Sequence, residues 1–169
     1  METNIIEKNV KKIVKLGTKK KSLVIRKMNR TVGVSTALKE ILFKSIESGN
    51  HEKIVFISPN SRHRNTIVNE LREQYNKNEF CKVLDYTGNR AVVDVSGKQV
   101  VIIFLMWNFD DGFHIRGWFD LAIADEAFDG TDKKAIMDMV FSNKGAKKVI
   151  VMTKDDNELI DFDCNYIVV

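Results

Sequence analysis

Two adjacent carboxylates, Asp125 and Glu126, follow an apolar run that begins at Phe119. This pattern is typical of a buried parallel strand that delivers acidic side chains to the rim of a sheet. One such carboxylate can hold a divalent cation while the other orients or deprotonates an attacking water molecule. Any strand that ends in an acidic turn has the same pattern, so the acids predict a cation site only together with a phosphate-binding element.

A candidate for that element lies upstream, where residues 30–36 read Arg-Thr-Val-Gly-Val-Ser-Thr. A phosphate loop has the pattern G-x-x-x-x-G-K-[ST] between a strand and a helix. Its backbone N–H groups and the helix N-terminus bind phosphates, and its hydroxyl binds Mg²⁺. Gly33, Ser35 and Thr36 fit this pattern in a suitable context.

Two positions of the loop depart from the pattern. Met28 replaces the first glycine, and Val34 occupies the lysine position. Positive charge is nevertheless present, because Arg30 or Lys27 could reach phosphates from the start of the loop, and an arginine could bind their oxygens in a bidentate manner. The alternative is that Arg30 is an exposed loop residue and Gly33 only permits a turn.

Apolar periodicity predicts an alternation of helices and strands around these residues. We expect helices over residues 2–16, 35–47, 60–75 and 131–142. We expect strands over residues 22–25, 53–58, 82–86, 90–95, 99–106, 148–153 and 165–169, besides the acid-tipped strand. Gly17 is expected to end the first helix, and Ser96-Gly97-Lys98 to form the turn of a hairpin.

This alternation predicts an α/β fold with three layers, in which a mainly parallel sheet is covered on both faces and carries an inserted β-hairpin. We expect one domain over residues 1–169. It comprises a basic amphipathic helix over 1–20, a core over 22–153 and a C-terminal strand region over 154–169.

The composition indicates a globular protein, with 44% hydrophobic and 30% charged residues. The sequence lacks an apolar run long enough for a membrane span and a signal-peptide pattern, and its two cysteines lack a metal-binding spacing, so we expect a cytoplasmic protein without membrane contact. Residues 1–50 hold 12 Lys and Arg against 4 Asp and Glu, whereas residues 101–169 hold 7 against 13. The basic end could attract nucleic acid or be a solvated helix surface.

The order of these motifs resembles the ATPase domain of viral large terminases, the motors that pump DNA into capsids. The stretch 30–36 is similar to that family's deviant Walker A motif, often Arg-Gln-x-Gly-x-Ser, with Thr31 at the usual Gln position. Four further elements of that family resemble parts of this chain in the same order. These parts are the strand–helix unit after Lys53, the hairpin at 88–104, the stretch from Ile115 to Ala127 and the strand ending at Thr153.

This resemblance implies a P-loop NTPase of the RecA/ASCE-like class that uses ATP and Mg²⁺ on double-stranded DNA. It also implies a homo-oligomeric ring on a portal or a split-terminase partner chain, in the host cell cytoplasm if the protein is viral. We expect no nuclease domain within these 169 residues.

The same resemblance implies roles for individual residues. The nucleotide would be bound by Lys27, Arg30, Thr31, Val32, Gly33, Val34, Ser35 and Thr36. Ser35 and Asp125 would hold Mg²⁺, while Glu126 would orient the water and Arg30 would neutralise phosphate charge. Thr153 would sense the γ-phosphate, and Arg116 would either sense nucleotide or pair with a neighbouring aspartate.

Two other functions fit the same residues. The chain could be a helicase-like or RecA-like ATPase, because Asp125 to Phe128 resembles a helicase acidic box. It could also be a degenerate nucleotide-binding or interaction module without hydrolysis, which the valine at the lysine position favours.

Overall fold

A computed structural model describes residues 2–26, 33–87, 89–106, 119–127, 146–153 and 165–169. Three helices and eight strands lie in these ranges. In chain order they are α1 (Glu2–Lys19), β1 (Ser22–Arg26), α2 (Val34–Glu47), β2 (Lys53–Ser58), α3 (Ser61–Tyr75), β3 (Cys81–Thr87), β4 (Arg90–Val95), β5 (Lys98–Met106), β6 (Phe119–Ala127), β7 (Ala146–Thr153) and β8 (Asn165–Val168).

All eight strands belong to one sheet, in the order β3-β4-β5-β2-β6-β7-β1-β8. The contiguous run from β5 to β8 is parallel throughout. Strand β4 is antiparallel to both of its neighbours. The predicted α/β class and mainly parallel sheet are therefore confirmed, with α2 acting as the crossover between the parallel strands β1 and β2.

The predicted hairpin is also confirmed. Strands β4 and β5 pair in an antiparallel manner from Val95 opposite Lys98 onwards. Ser96 and Gly97 form the turn with φ values of 50° and 85°. Positive φ at both central positions is what a two-residue type I′ hairpin requires, and the hairpin extends the sheet beyond β2.

The sheet buries its two faces in separate hydrophobic clusters. In β6, Leu121 and Ile123 belong to the larger cluster, which also contains side chains of α1, α2 and α3. Ala122 and Ala124 point to the other face and pack with residues of β2 and β7. Within the described ranges all three helices cover the first face, and the helix predicted at 131–142 falls outside those ranges.

Gly17 does not end the first helix, contrary to our expectation. Helix α1 continues to Lys19, and Gly17 is buried inside it. A Cβ atom at this position would lie 2.5 Å from Ile41 Cδ1 of α2 and 3.3 Å from Ile150 Cδ1 of β7. Gly17 is therefore the position at which α1 packs closely against the core. The stability gained from this packing outweighs the low helix propensity of glycine.

Candidate functional site

The carboxyl ends of four neighbouring parallel strands meet at one edge of the sheet. Arg26 of β1 lies opposite Thr153 of β7. Thr153 in turn lies opposite Ala127 of β6, and β2 ends beside them at Ser58. In open α/β sheets, ligands bind outside the carboxyl ends of the strands, so this edge is the candidate ligand-binding edge of the sheet.

The backbone of β6 is irregular where the two predicted acids occur. Ala124 lies opposite Val151, but the next paired residue, Ala127, lies opposite Thr153. Strand β6 thus contains one residue more than β7 between these pairs, and the irregularity contains Asp125 and Glu126. Bulges of this kind re-aim side chains and are over-represented beside active sites.

Asp125 is completely buried, with 0% of its side chain exposed. It lies on the sheet face that the helices cover, because its carboxylate neighbours a residue of α3 and α3 packs into the larger cluster on that face. The Nε2 atom of His63 in α3 lies 3.2 Å from Asp125 Oδ2. A carboxylate taken out of water in this way needs a compensating cation or hydrogen-bond donors, and His63 is one such neighbour.

Two local features hold His63 at that position. The Asn60 side chain caps α3 and accepts a hydrogen bond from the His63 backbone N–H at 2.9 Å. The imidazole ring stacks on Phe56 of β2, with 6.4 Å between ring centroids and 23° between the ring planes. The cap fixes the start of α3, and the stacking fixes the ring over the sheet.

Ser58, His63 and Asp125 together form a polar cluster at the end of β2 and β6. Ser58 Oγ and His63 Nδ1 are buried and have no hydrogen-bond partner within the described part of the chain. Buried polar groups are rarely left in this state, and a cluster of them at a ligand-binding edge indicates a functional site. The composition matches a Ser-His-Asp hydrolase, but Ser58 is 0% exposed and therefore inaccessible to a substrate.

The start of α2 carries the described part of the predicted phosphate loop. Gly33 is the N-cap, with φ 80° and ψ 11°, and none of the described residues caps this helix end through its side chain. Val34 begins the helix with its side chain 1% exposed in the core, while Ser35 is half-buried and Thr36 exposed. The side chain at the expected lysine position thus points into the core, which accounts for valine there.

Helix α1 packs directly against this helix start. A Cβ atom placed on Gly33 would lie 2.9 Å from Val10 Cγ2 and 3.0 Å from Ile6 Cγ2. Gly33 is therefore required both by its positive φ and by the closeness of α1.

A second buried acid, Asp120, lies at the opposite end of β6 and has a structural role. Asp120 Oδ2 accepts hydrogen bonds from the backbone N–H groups of Glu52 at 2.8 Å and Lys53 at 3.1 Å, and Lys147 Nζ lies 3.3 Å from Oδ1. Burial alone would raise the pKa of Asp120, but these backbone donors and the lysine hold it below its ordinary value. The donors around Asp120 thus come from the start of β2 and from β7, and they tie neighbouring strands together.

The remaining predicted site residues are placed less completely. The backbones of Glu126 and Thr153 are described, in β6 and β7, but their side chains are not. The following predicted residues lie outside the described residues: Lys27, Arg30, Thr31, Val32 and Arg116. The structure therefore brings Asp125 and Thr153 to the same sheet edge and leaves the predicted phosphate-binding cations a prediction.

Sequence reasoning missed His63 and Ser58. A signal was present, because Ser58 is the polar end of an apolar strand and His63 follows the helix-capping Asn60 by three residues. Their convergence on Asp125 depends on the pairing of β2 with β6, which a local pattern does not encode.

The structure describes both residues that were predicted to hold Mg²⁺, Asp125 near the end of β6 and Ser35 at the start of α2. Among the described residues, no three His, Cys, Asp or Glu side chains form a metal-binding group. Mg²⁺ commonly takes one or two carboxylates or hydroxyls and completes its shell with water and phosphate oxygens. The Asp125 carboxylate and the Ser35 hydroxyl are the candidates for those protein ligands.

Comparisons of this chain with models of protein families, with curated proteins and with solved structures found no match. None of the helices in the described ranges is long and apolar enough to span a membrane. The function must therefore be argued from the site itself.

Proposed function

We propose that this protein is a terminase-like, Mg²⁺-dependent ATPase that acts on double-stranded DNA. The observation that carries the proposal is the fully buried Asp125 carboxylate within a bulge at the carboxyl end of β6. Asp125 lies at the carboxyl edge of the parallel strands, where open α/β sheets bind ligands, and a carboxylate at such an edge is a suitable Mg²⁺ ligand.

The strand order supports the same proposal. Strand β7 lies between β1, which leads into the predicted phosphate loop, and β6, which carries the acids. This order brings the end of β1 and the end of β6 within two strand spacings of each other at one edge, so a single nucleotide with its Mg²⁺ could contact both. The start of α2 then faces the same sheet edge as Asp125, because α2 runs back from the carboxyl end of β1 to the start of β2.

Each residue has a distinct task in this proposal. The backbone from Gly33 to Thr36 and the positive end of α2 bind the phosphates. Ser35 and Asp125 hold Mg²⁺, which supplies charge neutralisation on the phosphates when it is bound with ATP. Glu126 orients the attacking water, and Arg30 and Lys27 supply the cation that Val34 cannot.

The proposal extends to partners through the resemblance alone. A homo-oligomeric ring on a portal, or a separate chain carrying the nuclease, would complete such a motor.

A nucleotide-binding module without hydrolysis is the second candidate. It is favoured by the burial of Val34, because the residue at the lysine position cannot present a charge to the outer phosphates. In this alternative Asp125 still holds Mg²⁺, but phosphate transfer to water is not accelerated.

The decisive experiment measures Mg²⁺-dependent ATP turnover, with and without double-stranded DNA, on the wild type and on Glu126→Gln. We expect turnover in the wild type and a loss on the order of 10²-fold or more in the variant, because a positioned general base is removed. A fluorescent ATP analogue, titrated into both proteins, reports binding separately.

Equal binding with no turnover in either protein would favour the module without hydrolysis. An absence of Mg²⁺-dependent nucleotide binding in the wild type would contradict both candidates.

A further inference from the structure

The exposed side of α1 carries a row of lysines that the proposed ATPase site does not use. Its members are Lys8, Lys11, Lys12, Lys15 and Lys19. All five are exposed, and their spacing of three or four residues places them within an arc of about 100° around the helix. We call this set the lysine face.

The lysine face is not compensated by acids in the described part of the chain. Other lysines of this protein do have carboxylate partners there, for example Lys39 with Glu70 at 2.6 Å and Lys44 with Glu40 at 2.8 Å. No described carboxylate pairs with a member of the lysine face, and Glu7 is the one acid in the sequence between residues 3 and 21. The face therefore carries five positive charges that have no carboxylate partner within the described residues.

The opposite side of α1 is committed to the protein core. Ile13 and Val14 are buried in the main hydrophobic cluster, and Gly17 is packed against Ile41. A helix that binds a membrane surface needs a free apolar face to insert, and most of that face is used here. The anchored helix instead holds its lysines in a fixed array.

We propose that the lysine face binds the sugar–phosphate backbone of double-stranded DNA. From Lys8 to Lys19 the helix rises about 16 Å, which matches about five phosphates along one strand at 3.4 Å per base pair. Residues 2–21 contain no aromatic side chain on which unpaired bases could stack, so duplex DNA fits better than a single strand. The choice of DNA as partner rests on the proposed function, whereas the location of the surface does not.

A matched pair of triple variants tests this inference. The test variant replaces Lys8, Lys12 and Lys15 by Gln. The control variant replaces Lys77, Lys82 and Lys98 by Gln; these lysines are exposed and lie outside α1. Both variants lose the same charge, and Gln preserves helix propensity. Thermal unfolding of each variant checks that the fold is retained.

The readout is the anisotropy of a labelled 30-base-pair DNA duplex at several salt concentrations, without nucleotide. We expect the test variant to bind at least about 10-fold more weakly at 0.1 M salt, and the slope of log affinity against log salt to become shallower by about 2 to 3. The control variant should bind like the wild type.

Three results would overturn the inference. These are equal losses in both triple variants, unchanged binding in the test variant, and wild-type protein that binds phosphatidylserine vesicles but not the duplex. Nucleotide-analogue binding, measured in the same proteins without DNA, separates these outcomes from a failure of the proposed ATPase function.

Discussion

At the residue scale, the contact between His63 and Asp125 is the most informative feature. The carboxylate is fully buried, while 27% of the His63 side chain is exposed. Because part of the ring reaches solvent, water or an incoming cation can replace His63 beside the Asp125 carboxylate more easily than it could replace a fully buried partner. His63 is thus a positioning residue for the predicted cation ligand.

A double-mutant cycle on His63→Gln and Asp125→Asn tests this contact. We expect His63→Gln alone to destabilise the metal-free protein by about 1 to 2 kcal/mol, because the buried carboxylate loses its neighbour. In the Asp125→Asn background the same change should cost less, with a coupling of at least about 0.5 kcal/mol. Urea denaturation of the four proteins provides the free energies, and purely additive changes would contradict the assignment.

Gly33 offers a second residue-scale test with a matched control. Both Gly33 and Gly97 have positive φ, at 80° and 85°, but only Gly33 has neighbours that an added Cβ would meet. We expect Gly97→Ala to cost about 1 kcal/mol, from backbone strain alone. Gly33→Ala should cost a further 1 to 3 kcal/mol, roughly, because Val10 and Ile6 must move.

Denaturant unfolding of the two glycine variants measures the difference. Equal destabilisation would show that α1 does not constrain the start of α2, and would contradict the inference that the closeness of α1 requires glycine at position 33.

At the element scale, strand β6 carries two buried acids in different settings, Asp120 near its amino end and Asp125 near its carboxyl end. Asp120 at its amino end is satisfied by the backbone of the β2 start, and so ties two strands together. Asp125 at its carboxyl end lies in the bulge, where regular pairing with β7 is interrupted. The same strand therefore ties the sheet together at one end and carries the proposed Mg²⁺ ligand at the other.

The Asp120→Asn substitution should reduce stability in a pH-dependent manner. The folded-state pKa of Asp120 is below its unfolded value, so its contribution is present above pH of about 4 and is lost as the pH falls through the folded pKa. At pH 7 we expect a loss of about 1 to 3 kcal/mol. Urea unfolding at pH 7 and pH 3 should show a smaller difference at the lower pH, and an equal difference at both would contradict this account.

Elements were more predictable from sequence than the contacts between them. Apolar periodicity and turn chemistry placed the three described helices, the hairpin and most strand boundaries to within a few residues. The prediction for Gly17 was wrong because a glycine that ends a helix and one that admits a neighbouring helix look alike in sequence. The bulge at Asp125 and Glu126 was also invisible, since it is a property of the pairing between β6 and β7.

At the scale of the whole molecule, the strand order explains why the site was only partly predictable. The acid-tipped strand and the candidate phosphate loop could each be found from local residue types. Their placement on one sheet edge follows from β7 lying between β1 and β6, a long-range arrangement that local patterns do not specify. Ser58 of β2 and His63 of α3 approach Asp125 through the same kind of long-range arrangement, so local patterns did not predict them either.

The position of β1 has a consequence for how the protein is made. Both of its neighbours, β7 and β8, are synthesised long after it. On the ribosome, both edges of the nascent Leu23–Ile25 segment therefore stay without their native strand partners until β7 and β8 have been translated. Such edges invite pairing with other chains, and the run of lysines just before β1 can discourage that association. This edge of the sheet is therefore completed only after β7 has been translated.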